Sequence, residues 1–234
     1  MTNVKKVSPE VIREAAEILH RGGTVVVPTD TNYNVVTSPY SRAGVERIFD
    51  MKKRENLSPL TLFLGDSMEL PQYAYTTPQT EFLAKRLWPE KVSFILWQRP
   101  TVPWYVTRGF GTVALTLHRN PIHREIAHLL GTPLAGTSAN LSGTGNVPLV
   151  QKAIEHLGDN VDLIIDAGAS QVDGANTIID FTFGQPLLAR DGAYPVKDLL
   201  PLIPDLVTSI DNKDYKQLAK ERALRQQAAE AQPA

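Results

Sequence analysis

Gly22-Gly23-Thr24-Val25-Val26-Val27-Pro28-Thr29-Asp30-Thr31-Asn32-Tyr33 decides how the rest of the chain is read. A glycine pair is a common helix stop, because glycine enters the left-handed region without a Cβ penalty. The valine run that follows has the β-branched, unalternating character of a buried strand. Pro28 ends it, and the chain passes into consecutive polar residues. A strand that opens at its carboxyl end into a hydroxyl-rich loop is a frequent ligand site in α/β proteins. The segment Gly136-Thr137-Ser138-Ala139-Asn140-Leu141-Ser142-Gly143 has the same design. These two loops, with Lys52 and Arg54, are expected to face one nucleotide-binding cleft.

The elements on either side fit an α/β domain. Ser8-Pro9-Glu10 starts a helix: a capping serine, proline at the first position and an acid at the positive pole. Apolar residues then recur at helical spacing up to the glycine pair. Further helices are expected over about 41–52, 78–87, from Asn120-Pro121 to Gly131, and from Pro148 to Leu157. Strands are expected at Pro59–Leu64, Val92–Trp97, Thr112–Leu117, Leu163–Asp166, Thr177–Asp180 and Leu187–Ala189. Strands interleaved with helices predict mixed parallel and antiparallel pairing. From Tyr215 onward the composition is helical with little apolar face, which predicts a solvated or frayed helix.

Composition narrows the function. The chain has 234 residues, 42% hydrophobic and 21% charged, enough for one large domain or two small ones. A net charge of -1 gives no global pull towards nucleic acid or anionic membrane. With no cysteine, disulfides, thiolate metal sites and cysteine nucleophiles are excluded. Neither a signal-peptide core nor an apolar run of bilayer length occurs, so a cytoplasmic protein is expected.

Lys52 and Arg54 lie two residues apart at a helix end. Arginine can grip a phosphate through two parallel hydrogen bonds while lysine acts as a point charge. A solvated basic helix end is the alternative on spacing alone. The small residues of Thr137–Gly143 let backbone approach a ligand, and Ser138 and Asn140 can hold phosphate oxygens or a base edge; a plain polar turn is the alternative. Arg190-Asp191-Gly192 follows a strand end and would add a third cation; a surface turn is the alternative. His123 and His128 are five apart, wrong for two ligands on one helix face, and no metal site is expected. No phosphate-loop motif of the Gly-x-x-x-x-Gly-Lys type is present.

In order and content these segments resemble the YrdC-like family, the L-threonylcarbamoyladenylate synthases of tRNA modification. The family's Pro-Thr-Asp-Thr-x-Tyr-Gly-Leu is matched by Pro28-Thr29-Asp30-Thr31-Asn32-Tyr33-Asn34-Val35. Its Lys-x-Arg followed by Pro-Leu is matched by Lys52-Lys53-Arg54 and Pro59-Leu60, and its Leu-Trp-Pro-Gly reads Leu87-Trp88-Pro89-Glu90. Its Thr-Ser-Ala-Asn-x-Ser-Gly is Thr137 to Gly143, and its Arg-x-Gly is Arg190-Asp191-Gly192. The resemblance implies a twisted mixed sheet with flanking helices enclosing a large cavity. It implies a catalytic domain over 1–200 and a C-terminal extension, helical or frayed, over 201–234. The implied reaction converts ATP, bicarbonate and L-threonine to threonylcarbamoyl-AMP, with Mg2+ sharing the charge. Lys52 and Arg54 would be catalytic; together with Ser138, Asn140 and Arg190 they would bind ATP. Thr31 and Tyr33 would lie near the amino acid. RNA or tRNA-modification proteins are the implied partners. Asn34 replaces the family's glycine, Asn32 an apolar residue and Phe63 a common histidine. The resemblance therefore also admits a paralogue adenylating another carbamoyl or acyl substrate, or a non-catalytic RNA- or ribosome-binding protein.

Overall fold

In the computed structural model, residues 2–52, 59–141, 144–170 and 174–230 are described. Strand β1 (Val4–Lys6) precedes helix α1 (Pro9–His20), where the Ser8 side chain accepts from Val11 N as expected of a cap. Gly22, at φ 81°, ends that helix and turns the chain into β2 (Val25–Pro28). There follow β3 (Tyr33–Thr37), α2 (Arg42–Lys52), β4 (Thr61–Phe63), α3 (Leu70–Tyr73), α4 (Pro78–Leu87) and β5 (Val92–Trp97). Next come α5 (Trp104–Thr107), β6 (Thr112–Thr116), α6 (Pro121–Leu130), β7 (Leu134–Ser138) and α7 (Val150–Leu157). The chain ends with β8 (Leu163–Asp166), β9 (Thr177–Asp180), β10 (Leu187–Arg190), α8 (Val196–Leu199) and α9 (Asn212–Glu230).

The strands form one ten-stranded sheet in the order β1-β8-β2-β3-β7-β4-β6-β5-β9-β10. Pairing is mixed: β2 runs parallel to β8 and antiparallel to β3, and β5 runs parallel to β9 and antiparallel to β6. The sequence reading of a mixed sheet holds. It did not separate β3 from the polar loop before it, because β3 is short and begins with Tyr33 and Asn34.

Directly opposed residues share a face of a sheet. One face carries the larger core, with Val26, Tyr33, Val35, Leu62 and Phe94 packed against Val45 and Ile48 of α2. The other face carries two smaller apolar patches. Val25, Val27, Val36, Phe63 and Leu134 lie under α1 and α6, and Ile95, Ile178 and Ala189 lie under α9. Between those patches the same face is polar. Asn34 pairs with Ser138, and Thr116 with Phe63; Ser93 and Arg190 both pair with Ile178. Gly136 is required beside this strip: a Cβ there would lie 2.4 Å from Val35 O and 2.9 Å from the Phe63 ring.

The C-terminal helix is docked rather than solvated along its whole length. Tyr215, Ala219 and Ala223 are buried at a spacing of four, too sparse a stripe to announce itself in sequence. Tyr215 donates its hydroxyl to Asp180 Oδ2 at 2.7 Å, and Arg222 Nη1 reaches the same oxygen at 2.9 Å. Among the described residues no helix is long and apolar enough to cross a membrane.

Candidate functional site

Helix α2 delivers Lys52 to the carboxyl end of β7. The side chain is 2% exposed, which an ammonium tolerates only when its donors are taken up by oxygen. Nζ donates to the Ser138 carbonyl, to the Asn140 carbonyl at 2.5 Å and to Asn140 Oδ1 at 3.1 Å. Ser138 Oγ donates to Asn140 Oδ1 as well. Three of the expected ATP-binding residues thus form one knot. Asn140 Nδ2 has no partner among the described residues and is not sealed from solvent, so it can donate to a ligand. Arg54, Ser142 and Gly143 lie outside the described residues.

Arg190 reaches the polar strip through a β-bulge. The register of β10 on β9 shifts between Leu188 and Arg190, so that Arg190 stands opposite Ile178. A bulge of this kind re-aims a side chain. Arg190 Nε donates to Asn176 O at 2.8 Å, and burial lowers the guanidinium pKa from its ordinary value. Its terminal nitrogens have no partner among the described residues, and neither is sealed. Asn176 is fixed in turn by donating to Ser93 Oγ and Thr116 Oγ1, each at 3.1 Å. Gly192 lets the turn pass: a Cβ there would lie 2.4 Å from Ala175 O.

The loop between β2 and β3 closes over this strip. Thr29 bonds Asn32 through backbone and hydroxyl, a compact turn that leaves the Asn32 side chain free to reach outward. Asn32 Nδ2 donates to Gly174 O at 2.6 Å, and Asn32 Oδ1 accepts from Val147 N at 2.7 Å. Asn32 is therefore a clasp joining three loops, a role that its neighbours in sequence gave no hint of. Thr31 is 4% exposed, and its hydroxyl has no partner among the described residues. Tyr33 is differently employed. Its hydroxyl donates to Gly168 O at 2.6 Å and accepts from Ala167 N at 3.1 Å, and burial raises its pKa. It braces the 167–168 loop from the core side.

In the sequence reading Asp30 figured only within the Pro-Thr-Asp-Thr match, with no role of its own. Asp30 Oδ2 accepts from Arg119 N at 2.7 Å and lies 3.7 Å from His118 Nδ1. Burial acts to raise the Asp30 pKa, but His118 beside it and the bond from the Arg119 N–H hold it below the ordinary carboxylate value. His118, His123 and Phe63 pack ring against ring, with centroids 4.9–5.3 Å apart. His123 is fully buried, and desolvation, helped by His118, keeps its pKa well below the usual value. Arg119 itself turns outward to Glu90.

Chemically, the described residues offer a buried cation in Lys52 and a half-buried one in Arg190, with hydroxyl and amide groups at Thr31, Asn34 and Asn140. Such a set suits a polyanion bearing a smaller polar molecule. Among the described residues no group of three or more histidines and carboxylates is placed to hold a metal ion.

Residues 17–192 match the Sua5_yciO_yrdC family model, whose description reads telomere recombination. The threonylcarbamoyl-AMP synthase of Pyrococcus abyssi is 31% identical over 196 residues, covering 83% of this chain and 58% of that protein. The chain thus spans little more than half the length of that relative. The crystal structure of P. abyssi Sua5 complexed with L-threonine superposes with a TM-score of 0.82 at 28% identity, over 89% of this chain and 64% of that one. Escherichia coli YciO superposes with a TM-score of 0.78 at 27% identity, over 84% of this chain and 98% of that one. With the family model covering most of its length, the chain belongs to the Sua5/YciO/YrdC family.

Proposed function

We propose that the protein is a nucleotidyltransferase that forms L-threonylcarbamoyl-AMP from ATP, bicarbonate and L-threonine, supplying tRNA threonylcarbamoyladenosine synthesis in the cytoplasm. The observation that carries this reading is the union of Lys52, Ser138 and Asn140 in one hydrogen-bonded knot at the end of β7. It is the arrangement that the family resemblance assigns to the nucleotide.

The chemistry follows from charge and position. The threonine amine and bicarbonate combine to a carbamate with loss of water. A carbamate oxygen then attacks the α-phosphorus, the bond to the β-phosphate oxygen breaks, and pyrophosphate leaves. No protein nucleophile is needed; alignment and stabilisation of the growing charge on the phosphate oxygens suffice. Lys52, Arg54 and Arg190 are the proposed cations for those oxygens, with Ser138 and Asn140 orienting them. Thr31 faces the acceptor end, and Tyr33 acts there as a brace. Mg2+ would reach the site on the ATP phosphates, as is usual where no carboxylate cage exists, and would share the negative charge. The Asn32 clasp supports a closed loop that shields the labile carbamate from water.

A second reading is a paralogue that adenylates a different carbamoyl or acyl substrate, since Phe63 stands on β4 where the family commonly has a histidine. An RNA-binding reading has less support, since Arg222, one of the few tail cations, is taken up by Asp180. Partner proteins of tRNA modification would act after this step, on the released adenylate. The test is incubation with ATP, bicarbonate and each amino acid in turn. A threonine-dependent AMP adduct that is absent from Lys52→Ala supports the first reading. An adduct only with another acceptor supports the second.

A further inference from the structure

We propose that the Asn34 carboxamide reads the side chain of the acceptor amino acid and selects one that carries a hydroxyl. The inference deepens the carbamoyl-adenylate reading and rests on it.

Asn34 lies within β3, flanked by Val27 on β2 and Ser138 on β7. It is 7% exposed, yet neither Oδ1 nor Nδ2 has a hydrogen-bond partner among the described residues. Neither atom is sealed, so the small remaining exposure opens on polar atoms. Asparagine is a poor strand residue, and a buried amide with no partner is disfavoured in a sheet centre. Its place there is accounted for by a ligand that completes it.

The register tells which ligand. Asn34 shares its face with Ser138, whose hydroxyl belongs to the Lys52 knot. The same face carries Phe63, an apolar wall tight against Gly136. Arg190 is on this face too, but at the far end of the strip, on the last strand of the sheet. Cations serve phosphate and carboxylate. A neutral amide that can both donate and accept matches a hydroxyl, and Phe63 on the same face matches a methyl group. A β-hydroxy amino acid has both. Asn34 thus acts as a specificity determinant, not as part of the phosphate machinery.

The test compares threonine with valine, which replaces the hydroxyl by a methyl group of the same size. Adduct formation is measured with the full chain for the wild type, Asn34→Ala and Asn34→Ser, each checked for a cooperative thermal transition. A site built around a substrate hydroxyl rejects the analogue that lacks it strongly, so the wild type should favour threonine by about 100-fold or more in kcat/KM. In Asn34→Ala that ratio should fall at least tenfold, with the KM for ATP unchanged within about twofold; Asn34→Ser should recover part of the preference. A ratio that ignores Asn34, or a change in ATP binding in place of amino-acid choice, overturns the inference while wild-type adduct formation leaves the parent reading standing. A wild type silent with every amino acid overturns both.

Discussion

Arg190 and Arg222 lie at opposite ends of strand β9 on the same face of the sheet, and they differ in what neutralises them. Arg222 meets Asp180, a carboxylate with no exposure, and also packs on the rings of Phe183 and Trp97. Arg190 rests only on the carbonyl of Asn176 and has no carboxylate within 4 Å among the described residues. Two half-buried arginines on one sheet face thus differ in what neutralises them. A cation paired with a buried acid holds structure together; one supported by neutral oxygens keeps its charge for an incoming anion.

Breaking each arginine separately tests the contrast. Arg222→Ala leaves Asp180 buried without its cation, so unfolding free energy should drop by about 3–5 kcal/mol in urea titration. Protein still folded at low temperature should keep wild-type turnover. Arg190→Ala should behave inversely. Adduct formation should fall by about 10²–10³-fold, the typical cost of removing one donor aimed at developing charge, with thermal stability unchanged or raised. If Arg190→Ala unfolds the protein, or Arg222→Ala removes activity from folded protein, the contrast fails.

The two arginines were unequally legible in the sequence. Arg190 was identified because Arg-Asp-Gly follows a strand end, although the bulge that aims it leaves no trace in residue type. Arg222 falls in the tail expected to be solvated or frayed, because its acid lies 42 positions earlier and α9 lacks a continuous apolar stripe. The Ser138–Asn140 loop and Lys52 were legible because glycine, small polar residues and a helix-end lysine each have local physical meaning. Thr31 and Tyr33 sit in the same polar run, yet only Thr31 keeps its hydroxyl open, a difference set by loop 167–168 far along the chain. Long-range register was what sequence could not supply: it places Asn34 opposite Ser138 and Asp30 beside His118.

Ligand binding sharpens the comparison. Pyrophosphate at 100 times its dissociation constant should stabilise the wild type by about 2.7 kcal/mol, seen as a rise in thermal midpoint. Arg190→Ala should lose most of that rise, whereas Asp180→Leu with Arg222→Met should retain it, because that pair neutralises itself and offers the anion no net charge.

The smallest effect concerns pH and the histidines under Phe63. His123 is held neutral in the fold, with a pKa well below its unfolded value of about 6.5. The unfolded chain therefore binds the extra proton first as pH falls. This contribution to stability is complete above about pH 6.5 and is lost below it, by at most about 1.4 kcal/mol per pH unit. His123→Phe should flatten the slope between about pH 6.5 and 5 in urea unfolding; an unchanged slope would assign it to another group.

The most direct measurement follows the AMP adduct by mass spectrometry after incubation with ATP, bicarbonate and threonine, for wild type, Lys52→Ala and Arg190→Ala. Threonylcarbamoyl-AMP and pyrophosphate should accumulate with the wild type and be nearly absent from both folded variants. Wild-type yields from either variant, or no adduct from the wild type with any amino acid, would contradict the assignment.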